Sequence, residues 1–320
     1  MKKIIFLISF LGLSLHAQNN VTSKNIFNFN CQVAEENVIK TLSYLTSDEL
    51  EGRDSGSEGI ELATLYLENI LKENGIKPYF KTYRDTLSNF DKTSYNVVGY
   101  IEGNDKELKN EFVIIGAHYD HIGKIAAVNG DDIGNGANDN ATGTTAVTEV
   151  AKYFAKFKNN KRSVLFVFFS AEEKGLLGSK HLAAKLKEQK MDLYFMFNFE
   201  MIGVPMKDKG MDFYLTGFGK SNMATTMNEY AGEKLVGYLP IETKYMLFRA
   251  SDNYPFFTEF NVPAQTVSTF DFENFQFYHQ PDDEFELMDT KHMTKVISKT
   301  ILVLEKMINA PKKEIKLNEK

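Results

Sequence analysis

The amino-acid sequence predicts a doubly wound α/β fold: a three-layer sandwich with a mostly parallel central sheet and helices on both faces. Four short, almost uniformly apolar runs predict strands buried on both faces of such a sheet: "EFVIIGAH", "SVLFVFFSA", "LYFMFNFEMIG" and "VPAQTVST". Amphipathic helical segments, Thr144 to Phe157 and Leu176 to Glu188, lie between these runs. Strands that alternate with helices in this way are typical of α/β sandwiches.

A helix, a loop and a second helix are predicted ahead of these strands. The first helix contains "NVIKTLSYL", and a loop rich in Gly, Ser and Asp follows it. The second helix is amphipathic, and Gly75 stops it before Pro78. From Tyr79 to Gly103 the pattern is strand-like. Apolar residues recur at helical spacing in the second helix: Ile60, Ala63, Leu67, Ile70 and Leu71.

The N-terminal segment has the layout of a cleaved secretory signal peptide. Two lysines precede an apolar run from Ile4 to Leu15, and the small residue Ala17 follows. The run is too short to span a bilayer as a stable anchor. We therefore expect residues 1–17 to be removed and the chain to be exported, to the periplasm or the medium. A buried N-terminal helix is the alternative.

The composition is that of an ordinary globular protein. The 320 residues are 43% hydrophobic and 25% charged, which is enough for a large core. The formal charge is -6, and no basic run is interleaved with aromatic residues, so nucleic acid is not an expected partner. No obligate protein partner is evident. One domain is expected over residues 18–310, followed by a charged tail, 311–320.

The cysteine content limits both disulfides and metal ligands. Cys31 is the only cysteine, so no intramolecular bridge is possible in spite of the predicted export. Any metal ion must therefore be held by His, Asp and Glu.

Polar residues follow the predicted buried strands, at the edge where ligands gather in open α/β sheets. His118, Asp120 and His121 end the first run, and the adjacent Glu172 and Glu173 follow the second. A histidine close to a carboxylate is typical of a metal-binding imidazole with its orienting group. The alternatives are a satisfied polar histidine and, for the two glutamates, charges that favour the N-terminus of a helix.

Three further candidates come from other loops. Asp139 lies in the loop "GNGANDNATG" ahead of a helix, where a helix cap is the alternative. Glu200 follows the third strand, and His279 lies in "FYHQPDDEFE". With His118 and Glu173 they provide two imidazoles and three carboxylates from five loops. Such a set suits Zn²⁺, with Mn²⁺ or Co²⁺ as laboratory substitutes.

Five segments, in order, resemble the signature segments of the co-catalytic zinc aminopeptidases of metallopeptidase family 28: "GAHYDHIG", "NGANDNATG", "SAEEKGLLGS", "NFEMIG" and "YHQPDD". The upstream "YLTSDELEGRDSGSEG" resembles the N-terminal segment of that family. The resemblance extends from about Val38 to Ile308. It implies an aminopeptidase-type α/β fold, two Zn²⁺ per chain, and a bacterial exported exopeptidase that cleaves the N-terminal bond of peptides.

The resemblance also implies a division of the metal ligands. Asp139 matches the carboxylate that bridges the two metal ions. His118 and Glu200 match the positions that complete one site with it, and Glu173 and His279 match those that complete the other.

Two catalytic roles follow from the same resemblance. Glu172 matches the general base, which would take a proton from the attacking water and pass it to the leaving amine. Asp120 matches the residue that orients His118. Adjacent glutamates in a loop can point in different directions, so one is expected to face a metal ion and the other the water.

Glu200 departs from the family pattern, because these aminopeptidases usually have Asp at that position. Glutamate is a competent metal ligand with one more methylene than aspartate, so we expect metal binding to be kept. The longer side chain can change how the substrate is positioned, so the choice between aminopeptidase and carboxypeptidase specificity stays open. If Glu200 only caps its turn, Asp282 or Asp283 would complete the site. The segment "RASDNYPFF" either lines the substrate cavity or forms a buried turn capped by Asp252.

Two other functions are compatible with this fold. A glutaminyl cyclase would use one zinc for acyl transfer, and the presence of both His118 and His279 argues against it. A binding domain of the same ancestry would be expected to have lost ligands or the base, whereas a competent residue occupies every position.

Overall fold

The computed structural model describes residues 33–319. The predicted signal peptide, residues 1–17, and Cys31 lie outside the described residues. Within 33–319, no helix is both long enough and apolar enough to cross a membrane.

The molecule is organised around a nine-stranded sheet, with a separate two-stranded ribbon beside it. The strands are β1 (Lys77–Pro78), β2 (Arg84–Thr86), β3 (Tyr95–Ile101), β4 (Glu111–His118), β5 (Gly123–Val128), β6 (Asp131–Gly134), β7 (Ser163–Phe169), β8 (Asp192–Phe199), β9 (Phe213–Leu215), β10 (Val236–Gly237) and β11 (Ala264–Ser268). In the large sheet the strands lie in the order β1-β3-β7-β4-β8-β11-β9-β10, and β2 pairs with β3. The ribbon consists of β5 and β6.

The centre of the sheet is parallel and its flanks are partly antiparallel. β7, β4, β8 and β11 pair in parallel with one another, whereas β3 runs antiparallel to β7 and β9 runs antiparallel to β11. Every residue of β7 and of β11 is buried, as expected for strands covered on both faces. All four apolar runs of the sequence are strands of this parallel centre.

Helices cover both faces of the sheet and produce two separate cores. Along β4, Val113 and Ile115 join the core of one face, whereas Ile114 joins the core of the other. The helices are α1 (Glu35–Leu45), α2 (Glu58–Glu73), α3 (Thr142–Phe157), α4 (Leu177–Glu188), α5 (Met223–Ala231), α6 (Pro240–Lys244), α7 (Asn253–Phe260) and α8 (Thr290–Asn309). The larger core includes residues of α1, α2, α3, α5 and α8, and the smaller core includes residues of α4 and α7. The predicted three-layer α/β sandwich is therefore confirmed.

One local expectation differs from the structure. The strand-like stretch from Tyr79 to Gly103 contains only β2 and β3, and the polar segment "SNFDKTS" between them is irregular. The predicted charged tail, described to Glu319, packs back on the domain. Its Ile315 is buried, and the backbone N–H groups of Glu314 and Ile315 both donate to the Tyr194 hydroxyl, at 2.8 and 2.9 Å.

Candidate metal centre

The predicted site loops meet at one edge of the sheet. His118 is the last residue of β4, Glu172 and Glu173 follow β7, and Glu200 follows β8. These strands are parallel neighbours, so their carboxyl ends lie side by side. His279 lies in the loop after β11, the next parallel strand. The topology thus brings residues that are far apart in sequence to a common position.

Asp139 lies at the centre of this cluster, in the turn that leads into α3. It is 3% exposed. Its Oδ1 lies 3.3 Å from Nε2 of His118, whereas its Oδ2 lies 3.2 Å from Nε2 of His279 and 3.7 Å from Nδ1 of His121. The two oxygens of one carboxylate therefore face different imidazoles, which is the arrangement required of a carboxylate that bridges two metal ions.

The first ligand group consists of His118, Asp139 and Glu200, whose donor atoms lie within 4.8 Å of one another. Nε2 of His118 is 3.1 Å from Oε1 of Glu200. The other ring nitrogen, Nδ1, donates to the backbone carbonyl of Asp120 at 3.1 Å, so Nε2 is the nitrogen available to a metal ion once its proton is displaced. Ser251 holds the second oxygen of Glu200 by donating its hydroxyl at 2.7 Å.

The second ligand group surrounds Glu173. Its Oε2 lies 3.2 Å from Nε2 of His279, and its Oε1 lies 3.0 Å from Nδ1 of His121. The donor atoms of His121, Asp139 and Glu173 lie within 4.8 Å of one another. Nε2 of His279 is buried and has no well-aligned hydrogen bond among the described residues, although carboxylate oxygens surround it. Nε2 of His279 is therefore placed to bind a metal ion shared with these two carboxylates once its proton is displaced.

Asp120 lies beside His118 as predicted, but its carboxylate has other partners. Its Oδ1 lies 3.7 Å from Nδ1 of His118, farther than the backbone carbonyl, and accepts the N–H of Glu172 at 3.1 Å. Its Oδ2 accepts the Ser55 hydroxyl at 3.1 Å and the N–H of Glu173 at 3.4 Å. The carboxylate therefore holds the turn that carries the two glutamates. Within that turn, Glu173 points to the imidazoles and Glu172 lines an adjacent cavity.

The buried charges strongly perturb the ionisation of the site. Burial acts to raise the pKa of Asp139, but the imidazoles of His118 and His279 outweigh it and hold the pKa well below the usual value. Burial acts to lower the pKa of His279, but Asp139 and Glu173 raise it to about 10. The metal-free site therefore keeps protons on imidazole that a bound cation would displace.

Glu172 is shifted in the opposite direction. Burial raises its pKa well above the usual value, against the opposing charge of His118, and the neighbouring carboxylates Asp252 and Glu200 add to the increase. Burial likewise raises the pKa of Asp252 to about 7. A carboxyl group with a raised pKa beside a cavity suits proton transfer near neutral pH. Metal ions in the two ligand groups would add positive charge and lower the pKa of Glu172 again.

Arg53 supports the site but could not be identified from the sequence. Arg53 is 1% exposed and donates to the backbone carbonyls of Tyr119, Asn135 and Gly136, which ties the loops after β4 and β6 together. In a loop rich in Gly, Ser and Asp, the sequence pattern does not distinguish a buried arginine from a solvent-exposed one.

Asp283 supports the loop of the central carboxylate. It was an alternative ligand by sequence, yet its oxygens accept the backbone N–H groups of Asn138 at 2.7 Å and Asp139 at 3.0 Å. Glu200, and not Asp283, lies in the ligand group with His118.

A cavity of about 190 Å³ opens beside the candidate metal-binding side chains. His118, Asp139, Glu172 and Glu200 line it. Among the cavity-lining residues in the described part of the chain, none is Lys or Arg. The lining also includes several apolar and aromatic residues: Met201, Leu247, Phe270, Phe272 and Tyr278.

Parts of the chain match known sequences. The sequence model of peptidase family M28 matches residues 96–304. A probable leucine aminopeptidase 2 of Arthroderma benhamiae is 33% identical over 188 residues, which are 56% of this chain and 34% of that protein. Aminopeptidase YwaD of Bacillus subtilis is 28% identical over 71% of this chain and 47% of its own length. The matched region thus spans about a third to a half of these curated relatives.

Solved structures share the fold. The LapA aminopeptidase of Legionella pneumophila has a TM-score of 0.66 at 21% identity and covers 88% of this chain and 73% of its own. The zinc aminopeptidase BSAP of Bacillus subtilis also has a TM-score of 0.66, at 16% identity, over 84% of this chain and 94% of its own. At these identities the comparison supports the three-layer architecture alone.

Proposed function

The chain belongs to peptidase family M28, and from this premise we propose that it is an exported two-zinc aminopeptidase. In this proposal it hydrolyses the N-terminal peptide bond of peptides, with Glu172 as general base. Asp139, His118 and Glu200 hold one Zn²⁺, and Asp139, Glu173 and His279 hold the other.

The position of Asp139 is the observation that carries the proposal. A buried carboxylate whose two oxygens each lie 3.2–3.3 Å from a different imidazole nitrogen has little use in a single tetrahedral site. Each oxygen instead completes a group that contains one further carboxylate, from Glu200 or from Glu173. The group of His118, Asp139 and Glu200 offers ligands for a second zinc ion. A cyclase that uses one zinc ion would not need it.

The remaining groups match the needs of peptide hydrolysis. When bound, a pair of zinc ions supplies Lewis-acid polarisation of the peptide carbonyl and lowers the pKa of a bound water. Glu172 lines the cavity and lies next to a ligand in sequence, so its carboxylate can take the water proton and deliver it to the leaving amine. The turn held by Asp120 keeps Glu172 and Glu173 in separate roles.

The charge of the cavity favours an amino terminus over a carboxyl terminus. Glu172, the lining carboxylate that is not a proposed zinc ligand, provides negative charge for a substrate ammonium group. A carboxypeptidase needs a cation for the terminal carboxylate, and the lining residues named above include neither Lys nor Arg. The apolar part of the lining, with Leu247 and Phe270, suits an apolar side chain on the first residue of the peptide.

Export remains part of the proposal and rests on residues 1–17 alone. Expression of the full chain in a bacterial host, followed by mass spectrometry of the exported protein, should give an N-terminus near Gln18. An exported protein that still carries Met1 would contradict cleavage.

Peptide hydrolysis assays test the activity. Zinc-loaded protein should release the first residue from peptides with a free N-terminus and leave N-acetylated peptides of the same sequence intact. Glu172→Gln should be inactive in parallel assays, since the amide keeps the shape but cannot accept the proton. Cleavage of the acetylated series from its C-terminal end would overturn the aminopeptidase assignment.

A further inference from the structure

His121 is a third imidazole at the metal centre, in addition to the two predicted histidine ligands. It has no solvent exposure and lies three residues beyond His118, where the chain leaves β4. Its backbone N–H donates to the carbonyl of Arg53 at 3.3 Å, and it forms an isolated bridge with Asp54. The backbone of His121 is thus attached to the loop ahead of α2.

The ring of His121 contacts the carboxylate of Glu173. Nδ1 lies 3.0 Å from Oε1 of Glu173 but 3.7 Å from Oδ2 of Asp139. An ionised carboxylate only accepts hydrogen bonds, so Nδ1 must carry the proton of this contact. Nε2 is buried without a hydrogen-bond partner in the described part of the chain, and an unpaired lone pair there is less costly than an unpaired N–H. Both observations indicate that Nδ1, and not Nε2, is the nitrogen that donates a hydrogen bond.

The fold holds this ring in place independently of any metal ion. A Cβ atom at Gly136 would lie 2.4 Å from Cγ of His121, and a Cβ at Gly134 would lie 3.5 Å from its Cδ2. The ring therefore packs against backbone where side chains are absent. Arg53 holds that backbone, because its guanidinium donates to the carbonyl of Gly136 at 2.9 Å.

The two oxygens of Glu173 consequently have different environments. Oε1 is held by His121, whereas Oε2 lies 3.2 Å from Nε2 of His279, the nitrogen that is also 3.2 Å from Oδ2 of Asp139. A free carboxylate could rotate and offer either oxygen, or both, to a metal ion. The contact with His121 removes that freedom and presents Oε2 alone.

We infer that His121 is a positioning residue for one of the two metal ions. It donates from Nδ1 to Oε1 of Glu173 and so prepares the site formed by Asp139, Glu173 and His279. The inference rests on the proposed two-zinc function. It predicts an asymmetry, because the other site, which contains His118 and Glu200, has no such contact with His121.

Zinc titration of the metal-free protein tests this role without an activity assay. His121→Ala should weaken binding of one of the two zinc equivalents by about 10- to 100-fold, the usual effect of losing a hydrogen bond to a metal ligand, and leave the other unchanged. His121→Asn places an amide N–H near the position of Nδ1 and should stay close to wild type. His121→Gln places its amide near Nε2 instead and should resemble the alanine variant. His181→Ala removes a histidine outside the centre and serves as control.

The outcomes separate this inference from the proposed function. Failure of the wild-type protein to bind two equivalents would contradict the proposed function itself. Two wild-type equivalents with unchanged affinities in both His121→Ala and His121→Gln would overturn the positioning role alone. Complete loss of one equivalent in His121→Asn would also overturn it, because only a direct ligand would be that sensitive. If the alanine variant does not fold, the comparison of Asn with Gln decides.

Discussion

Substitution of Gly136 tests whether the loop of the bridging carboxylate is as closely packed as the structure shows. Gly136 has a φ of +57°, and a Cβ atom there would lie 2.4 Å from the carbonyl oxygen of Asp139 and 2.4 Å from Cγ of His121. Neither neighbour is the end of a flexible chain. Gly136→Ala must therefore displace the bridging loop or the His121 ring.

The expected loss of stability has two parts. A left-handed backbone costs a residue with a Cβ about 1–2 kcal/mol, and overpacking of a closely packed region typically costs about 1–3 kcal/mol more. Gly75 provides a matched control, since its φ is +68° and nothing lies within 4 Å of its Cβ position. Gly75→Ala should show only the first part, and the entropy that alanine removes from the unfolded chain is common to both variants.

Urea denaturation of metal-free protein measures this difference. Gly136→Ala should be less stable than Gly75→Ala by about 1–3 kcal/mol, with the same dependence on denaturant. Zinc affinity should fall in Gly136→Ala only. Equal stabilities and equal zinc affinities for the two variants would refute the close packing of Gly136 against Asp139 and His121.

Three further predictions concern single carboxylates. Glu172→Gln should lower the turnover rate by about 10²- to 10⁴-fold while zinc analysis still finds the wild-type metal content; near-normal turnover would remove Glu172 from the mechanism. Glu200→Ala should lose one zinc equivalent preferentially, whereas Glu200→Asp should keep both and change the KM, and an alanine variant with both equivalents would withdraw Glu200 as a ligand. For Asp85, burial acts to raise the pKa, but hydrogen bonds from His181 and Lys185 hold it below the usual value. The stability that this lowered pKa gives is present above the pKa of Asp85 in the unfolded chain, near 4, and is lost as the pH falls through its pKa in the folded protein. In urea denaturation, Asp85→Asn should therefore lose less stability on acidification than the wild-type protein.

The sequence was sufficient for the central strands, and the candidate site residues named from it lie together at one edge of the sheet. Long apolar runs permit few alternatives to buried parallel strands, and polar residues directly after such strands must lie at one edge. β9 and β10 could not be predicted in the same way, because three and two residues carry no usable periodicity. Their pairing depends on contacts with strands distant in sequence.

Side-chain partners inside the site were less predictable. Asp120 and His118 are close in sequence, yet Nδ1 of His118 is nearer the backbone carbonyl of Asp120 than its carboxylate. The choice depends on the turn after β7, whose N–H groups occupy the carboxylate. His121 shares the motif of His118, but only the three-dimensional position of Glu173 shows what its ring contacts.

The central claim is that Asp139 bridges two metal ions, and anomalous X-ray diffraction at the zinc edge tests it most directly. Crystals of zinc-loaded protein should show two anomalous peaks per chain, about 3.5–4 Å apart. One peak should lie beside Oδ1 of Asp139 with His118 and Glu200, and the other beside Oδ2 with Glu173 and His279. A single peak at saturating zinc, or two peaks of which only one contacts Asp139, would contradict the account.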